Sequence, residues 1–193
     1  QDAPLDPPPV KKRNILEVLV NFKDELNVEG EWLDPDDEDK MKEAVVEFMT
    51  NPNNSEDLPA MDIIDENTCR TNIAIIKANI EAGDNSQTGD LAKWEKKLAA
   101  VKLVGSYRTV NKYATIAIQY DKQTKFGTYV TVRDNIMSGL NELRNKLCLE
   151  KFGVTYSFLE SIRVESRTDE DEAKIKAIRE VFPQKIIKLS VQV

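Results

Sequence analysis

Histidine is absent from this sequence of 193 residues. Its absence excludes the Ser-His-Asp and Cys-His arrangements of nucleophilic enzymes and the zinc sites that use histidine ligands. Cysteine is scarce, since only Cys69 and Cys148 are present. Two cysteines alone cannot form a structural zinc site, and they leave two alternatives open, one disulfide bond or two buried thiols.

Long apolar runs and an excess of positive charge are also missing. No stretch approaches the roughly 20 apolar residues that span a bilayer, and no signal peptide is visible. The formal net charge of −7 argues against nucleic-acid binding, and the basic run Lys11 to Arg13 is too short to reverse that. Carboxylate pairs are plentiful, but none lies beside a recognisable aromatic-lined cleft, so we expect no enzyme and no cofactor.

The N-terminal part of the sequence predicts a linker, a hairpin and a helix. Residues 1–13, QDAPLDPPPVKKR, are typical of an extended linker. Residues 14–21 and 25–33 alternate apolar and polar side chains, which predicts a β-hairpin with one packed face. A helix should follow an acidic run at Asp34 to Asp39 and end at Asn51-Pro52. Its apolar stripe consists of Met41, Ala44, Val45, Phe48 and Met49.

The middle of the chain predicts a loop and then a helical hairpin. Residues 51–65 are rich in loop-forming residues, and residues 66–105 contain two helical patterns joined by GDNSQTG.

The C-terminal part begins with residues 111–121, the best predicted strand. A long helix should follow and end at Gly153, with a seam of Val132, Ile136, Leu140, Leu143 and Leu147. Thr168 is the expected N-cap of a further helix, Pro183 lies beyond its end, and residues 185–193 read as a closing strand. We therefore predict an α+β fold, a small mixed sheet with helices packed on one face, plus an inserted helical hairpin.

The connection between the predicted strand and the long helix, QYDKQTKFGTYVTVRDNI at 119–136, holds a polar turn with one glycine. It lacks the several glycines and the Lys-Ser/Thr pair of a P-loop. We interpret it as a structural joint in which Asp121 ends the strand and Thr124 caps the helix, with Thr128 as the competing cap. Gly127 would let the first helical turn approach the sheet closely.

Three segments stand out in order along the chain. The first is PPPVKKRNILEVLVNFKDELNVEGE, the second is the strand followed by Asp-x-x-x-x-aromatic-Gly and the helix TVRDNIMSGLNELRNKLCLEKFG, and the third is IREVFPQKI. Together they resemble the periplasmic domain of the ExbD/TolR family, especially its longer Bacteroidetes-type members. The similarity covers roughly residues 9–50 and 111–188, and the hairpin at 66–105 lies outside it as an insertion. Lys125 departs from the family pattern, in which many members have proline.

The resemblance implies a non-enzymatic role at the inner membrane, with this domain in the periplasm. Residues 1–13 would follow a membrane anchor that is missing here, and residues 14–193 would form the periplasmic domain. Such proteins pair with an ExbB/TolQ-like channel subunit. They use proton flow to energise a TonB/TolA-like envelope-spanning protein, and so outer-membrane transport or integrity. The acidic residue that serves proton flow lies in the membrane helix, so no residue of this chain inherits that role.

A small sheet with an exposed edge can pair with a second copy, giving a homodimer, or with an extended peptide of a partner. We predict two candidate edges, the first strand and the last. Their candidate partner-binding residues are Leu16, Val18, Val20, Ile186, Lys188 and Ser190. The alternative is that both strands are internal and fully paired.

A different class of function is suggested by DNSQTGDLAKWE at 84–95, which resembles an EF-hand calcium loop between two helices. Its candidate ligands are Asp84, Ser86, Thr88, Asp90 and Glu95, with Gly89 at the sharp turn. Serine and threonine are weaker ligands than aspartate, and no second loop is present to pair with this one. We therefore favour an ordinary polar helix connection, and keep as an alternative a calcium-stabilised binding module.

Overall fold

The computed structural model describes residues 12–34 and 37–190. The strands are β1 (Ile15–Val20), β2 (Leu26–Val28), β3 (Glu31–Leu33), β4 (Met61–Ile64), β5 (Tyr107–Val110), β6 (Thr115–Tyr120) and β7 (Ile186–Ser190). The helices are α1 (Glu38–Thr50), α2 (Glu66–Glu81), α3 (Thr88–Val104), α4 (Phe126–Phe152), α5 (Tyr156–Ser161) and α6 (Asp169–Val181). Most of the predicted linker, residues 1–11, lies outside the described residues, and Lys12–Asn14 form a short 3₁₀ turn.

The main sheet has five strands in the order β3-β2-β1-β6-β7. β1, β2 and β3 pair antiparallel, whereas β1 with β6 and β6 with β7 pair parallel. The sheet is therefore mixed, and the α+β prediction is confirmed. A separate two-stranded ribbon of β4 and β5 lies outside this sheet.

One face of the sheet is covered by helices α1 and α4. The buried side chains there form the sheet core: Leu16, Val18, Val20, Leu26, Val28, Met41, Val45, Phe48, Met49, Val110, Ala114, Ile116, Ile118, Val132, Ile136 and Leu140. The apolar stripe predicted for α1 is confirmed, with Ala44 partly buried. The first three residues of the seam predicted for α4 are buried, and Leu143 and Leu147 are partly buried against the two cores.

A second core lies among α2, α3, α5, α6, the C-terminal half of α4 and the ribbon. The buried side chains of this helical core are Ile64, Cys69, Ala100, Val101, Val104, Tyr107, Cys148, Tyr156, Leu159, Ile175, Ala177, Ile178 and Val181. The predicted helical hairpin is present as α2 and α3. The ribbon joins its two ends, because Met61 pairs with Val110 and Ile64 pairs with Tyr107.

Three strand predictions are corrected. Residues 25–33 form two strands, since Glu29 and Gly30 have φ of 50° and 92° and make a two-residue hairpin turn. Residues 51–65 were predicted as loop but contain β4, and the strand predicted at 111–121 is only β6. Asn111 shortens that strand because its side chain and carbonyl accept hydrogen bonds from the N–H groups of Tyr113 and Ala114 in a turn.

Helices α1 and α4 approach each other closely at Gly139. A Cβ at this position would lie 3.1 Å from the Cα of Lys42 and 3.1 Å from the Cβ of Val45. Gly127, which was predicted to permit a close approach to the sheet, faces open space instead, so that prediction is wrong. The glycine that matters for packing therefore lies three turns further along the helix.

Candidate partner-binding edge

The outer strands of the five-stranded sheet are β3 and β7. The prediction that the first strand is an edge is wrong, because β1 is paired with β2 on one side and β6 on the other. Leu16, Val18 and Val20 are buried in the sheet core and offer nothing to a partner. The prediction for the last strand agrees with the sheet order, since β7 pairs only with β6 among the described strands.

The backbone of β7 alternates between the neighbouring strand and the outside. The carbonyl of Lys185 accepts a hydrogen bond of 2.7 Å from the N–H of Ile116. By the two-residue period of a parallel ladder, Ile187 and Leu189 also bond to β6, while the backbone groups of Ile186, Lys188 and Ser190 point outward. Within residues 12–34 and 37–190 these outward groups form no backbone hydrogen bond.

The side chains of β7 alternate as well. Ile186 packs against the sheet core, and the Lys188 ammonium lies 4.4 Å from the ring centres of both Tyr120 and Tyr129. The side chain of Ser190 lies outside the described part of the structure. On the opposite face, Ile187 is 45% exposed and Leu189 is 42% exposed. The strand thus combines free backbone groups with two apolar side chains in water.

Ile187 and Leu189 belong to the face of the sheet turned away from α1 and α4. The strand registers place Leu189 beside Gln119, Gln119 beside Leu19, and Leu19 beside Asn27, which pairs with Trp32. Trp32 at the far end of this row is 57% exposed. These residues of the open face were not predicted as part of a site. The available signal was the alternation itself, because Ile187 and Leu189 are apolar at positions opposite to the packed face.

Three side chains fix the approach to β7. The Thr109 hydroxyl donates to the Val181 carbonyl at 2.8 Å, and the Arg144 guanidinium donates to the Phe182 carbonyl through Nε at 3.1 Å and Nη2 at 2.8 Å. The Lys185 ammonium then donates to the Asn111 carbonyl at 3.0 Å. The bonds from Thr109 and Arg144 satisfy the carbonyls of Val181 and Phe182, at the C-terminal end of α6, which have no partner inside the helix. They anchor the chain directly before the strand begins.

Arg144 is only 3% exposed, so its charge is held largely out of water. Burial lowers the pKa of its guanidinium from the usual value. The guanidinium also stacks 5.2 Å from the ring centre of Tyr156. Separating this buried cation from its carbonyl and aromatic partners would cost free energy, because a buried charge would be left unpaired. Arg144 therefore holds the end of α6 firmly in place.

The turn between β6 and α4 is a structural joint. The Asp121 carboxylate accepts from the Gln123 N–H at 2.8 Å, which closes the turn locally. The predicted N-cap at Thr124 is wrong, because its hydroxyl donates to the carbonyls of Val20 and Asn21 and the helix begins at Phe126. Thr128 is the third helical residue and does not cap either.

The start of α4 is instead joined to the hairpin by Asp24. Its carboxylate accepts from the Lys125 N–H at 2.9 Å and lies 3.0 Å from the Lys125 ammonium. The hydrogen bond from that N–H is the main cause of a lowered pKa at Asp24. The polar groups of this turn are therefore used in joining β1, the hairpin and α4.

The residues of the predicted calcium loop do not assemble into a ligand cage. The Asp84 carboxylate accepts from the backbone N–H and hydroxyl of Ser86 and from the Gln87 amide. Because α3 begins at Thr88, Thr88 and Asp90 already belong to the helix.

The remaining carboxylates of that segment have cationic partners. Glu95 lies 3.8 Å from the Lys77 ammonium of α2, and Asp90 lies 2.9 Å from that of Lys93. Across the described part of the chain, no three His, Cys, Asp or Glu residues gather as a metal site. The segment serves as the connection of the helical hairpin.

Of the two alternatives for the cysteines, one disulfide bond or two buried thiols, the structure shows the second. Cys69 of α2 and Cys148 of α4 are free thiols, both buried in the helical core. Burial raises the pKa of each thiol. They are therefore packing residues, protonated and shielded from water.

The edge at β7 is identified from geometry. No described helix combines the length and apolar character needed to cross a bilayer. Comparisons of the chain with protein-family models, with curated proteins and with solved structures find no match.

Proposed function

We propose that this chain is the periplasmic domain of an inner-membrane ExbD/TolR-like protein that acts through protein–protein contacts at the β7 edge. In this role it couples proton motive force to a TonB/TolA-like envelope-spanning protein, together with an ExbB/TolQ-like channel subunit. The proposal requires a membrane anchor upstream of Gln1 and assigns no chemical reaction to the domain.

The observation that carries the proposal is the outer edge of β7, which pairs with no described strand. Natural edge strands are usually protected by charge, proline, a bulge or a covering segment. The described part of β7 has one lysine, and its ammonium is folded onto Tyr120 and Tyr129. Ile187 and Leu189 remain exposed beside it. An edge of this composition is suited to strand addition.

The organisation of the fold supports the same proposal. Most of the segments that resemble the family, residues 9–50 and 111–188, contribute to the five-stranded sheet and to α1 and α4. The segment outside the resemblance, residues 66–105, forms the helical hairpin, which packs on α6 and is closed by the β4–β5 ribbon. The insertion shares the helical core with α5 and α6 and contributes no strand to the five-stranded sheet.

Strand addition at β7 would use two kinds of contact. The outward backbone groups of Ile186 and Lys188 would form hydrogen bonds, each worth roughly 0.5–1.5 kcal/mol net. Ile187 and Leu189 would pack against alternate side chains of the added strand, which supplies specificity. The added strand is either β7 of a second copy or an extended segment of the envelope-spanning protein.

The decisive variant is Lys188→Pro, with Lys188→Ala as its matched control. Because the Lys188 N–H points outward, proline at this position removes a bond to the added strand while leaving the ladder to β6 intact. We expect Lys188→Ala to keep self-association and Lys188→Pro to lose it in analytical ultracentrifugation. Far-ultraviolet circular dichroism should show the same fold for both variants.

Cross-linking tests the same surface in the membrane. The full-length protein would carry Lys188→Cys or, as a control on the exposed face of α3, Lys96→Cys. Oxidation should produce a covalent dimer or an adduct with the envelope-spanning protein from position 188 only. Cross-links that form only from the helical hairpin would refute the proposal. Equal self-association of the alanine and proline variants would exclude a second copy as the source of the added strand.

A further inference from the structure

A cleft of about 670 Å³ lies between α1, the β1–β3 hairpin and the loop that follows α1. Leu16, Val28 and Phe48 form its floor and belong to the sheet core. Leu33, Ala44 and Leu58 line its walls and are only partly buried. Because β3 and β7 are opposite edges of the sheet, this cleft is distinct from the edge proposed above.

The rim of the cleft is acidic. Six carboxylates and three cations line it, which leaves a net charge of −3. One pair, Lys40 with Glu31, is 3.6 Å apart. Four exposed carboxylates form no ion pair with any described residue: Glu43, Glu47, Glu56 and Asp57. Unpaired charge of one sign around an apolar floor favours a ligand that is cationic as well as apolar.

One polar atom of the cleft also lacks a partner. The Nε of Arg13 is buried and forms no hydrogen bond within the part of the chain that the structure describes. A buried donor of this kind calls for an acceptor, such as a peptide carbonyl. Arg13 lines the cleft and belongs to the 3₁₀ turn Lys12–Asn14 that precedes β1.

We infer that this cleft binds a short peptide segment of another protein in which lysine or arginine alternates with apolar side chains. The apolar side chains pack against the partly exposed Leu33, Ala44 and Leu58, above a floor that is itself buried. The cationic side chains reach Glu43, Glu47, Glu56 and Asp57, and a backbone carbonyl accepts from the Arg13 guanidinium. A second copy of this chain is a poor occupant, because its own net charge is −7.

The probes are three fluorescein-labelled peptides measured by fluorescence anisotropy with the full chain. They are Lys-Leu-Lys-Val-Lys-Leu-Lys, the same peptide with glutamate in place of lysine, and the same peptide with serine in place of leucine and valine. We expect the first to bind at least tenfold more tightly than the other two. Its affinity should fall when salt rises from about 50 to about 300 mM, because exposed charges are then screened.

The variant Glu43→Lys/Glu47→Lys should weaken binding of the first peptide at least tenfold. Its matched control is Glu81→Lys/Glu165→Lys, which makes the same change in net charge at exposed positions away from the cleft. Lys188→Pro should leave this binding unchanged, so the result is independent of the β7 proposal. The inference is overturned by undetectable binding, by equal effects of the two charge reversals, or by loss of binding in Lys188→Pro.

Discussion

The sheet core and the helical core of this molecule bury different kinds of side chain. The sheet core brings apolar side chains of one sheet face against α1 and α4, and the backbone of α4 approaches the backbone of α1 closely at Gly139. The helical core contains two free thiols and Tyr107, and Arg144 lies against its Tyr156. The first depends on shape, and the second depends also on the hydrogen bonds and the ring contact of Arg144.

This difference matters for the proposed binding edge. β7 takes its position from both cores, since Ile186 packs on the sheet core while Thr109 and Arg144 hold the end of α6 just before it. A change in either core can therefore reach the edge, but by different routes. Substitutions that change only the packing of the sheet core, or only the hydrogen bonds of the helical core, will show how much each core contributes to the position of β7.

The largest effect is expected from Arg144→Ala. The substitution leaves the Phe182 carbonyl without its two hydrogen bonds and removes the guanidinium that stacks on Tyr156. We expect the free energy of unfolding to fall by about 3 kcal/mol, measured by urea denaturation.

The control for this prediction is Arg133→Ala on the same helix. Arg133 is exposed, and its nearest carboxylate is that of Asp134 at 3.9 Å. This variant should lie within about 0.5 kcal/mol of the native protein. If Arg144→Ala and Arg133→Ala unfolded at the same urea concentration, the contacts of Arg144 would contribute no more to stability than those of an exposed arginine.

Two glycines of α4 give a matched test of shape in the sheet core. Gly139→Ala places a methyl group 3.1 Å from backbone and side-chain atoms of α1, so a loss of about 2 kcal/mol is expected. Gly127→Ala meets open space in the first turn of the same helix. It should stabilise the protein by roughly 0.5–1 kcal/mol, because alanine loses less backbone entropy on folding. Thermal melting of the two variants should move in opposite directions, and a shift of the same sign would contradict the packing described.

Sequence periodicity was enough to predict most elements of the sheet core. It predicted the stripe of α1, the seam of α4 and the packed face of β1, because side-chain alternation follows directly from helix and strand geometry. Both β1 and β7 were predicted as edges, and periodicity could not show that only β7 is an edge while β1 lies in the centre of the sheet. Both strands alternate in the same way, and the number of neighbours depends on long-range pairing.

The remaining errors have local causes. β3 was merged with β2 because Gly30 occupied a position that fitted the alternation, although it allows the turn that separates them. β4 and β5 were missed because each has only four residues and is stabilised by pairing with the other. The acid-rimmed cleft combines residues of the hairpin, α1 and a loop, which no single sequence window contains.

A moderate effect is expected from the capping box of α6. The Thr168 hydroxyl accepts from the Asp171 N–H at 3.1 Å, while the Asp171 carboxylate accepts from the Thr168 N–H at 3.0 Å. Thr168→Ala should lower the free energy of unfolding by about 1 kcal/mol. Ser166→Ala changes an exposed position two residues earlier whose side chain forms no hydrogen bond with any described residue, and it should leave stability unchanged. Equal melting temperatures for the two variants would show that the cap contributes nothing to the helical core.

The smallest effect concerns the thiols. Burial raises the pKa of Cys69 and of Cys148 in the folded state. A group whose pKa is raised by folding contributes stability below its unfolded pKa, about 8.5 for cysteine, and that contribution is lost as pH rises through the folded pKa. The free energy of unfolding should therefore decline as pH increases above about 8.5. The double variant Cys69→Ala/Cys148→Ala, although less stable at neutral pH, should show a shallower decline. If the free energy of unfolding of the two proteins declined in parallel with pH, the thiols would not contribute to the decline. Other buried groups of the helical core, above all Tyr107, would then cause the loss of stability at alkaline pH.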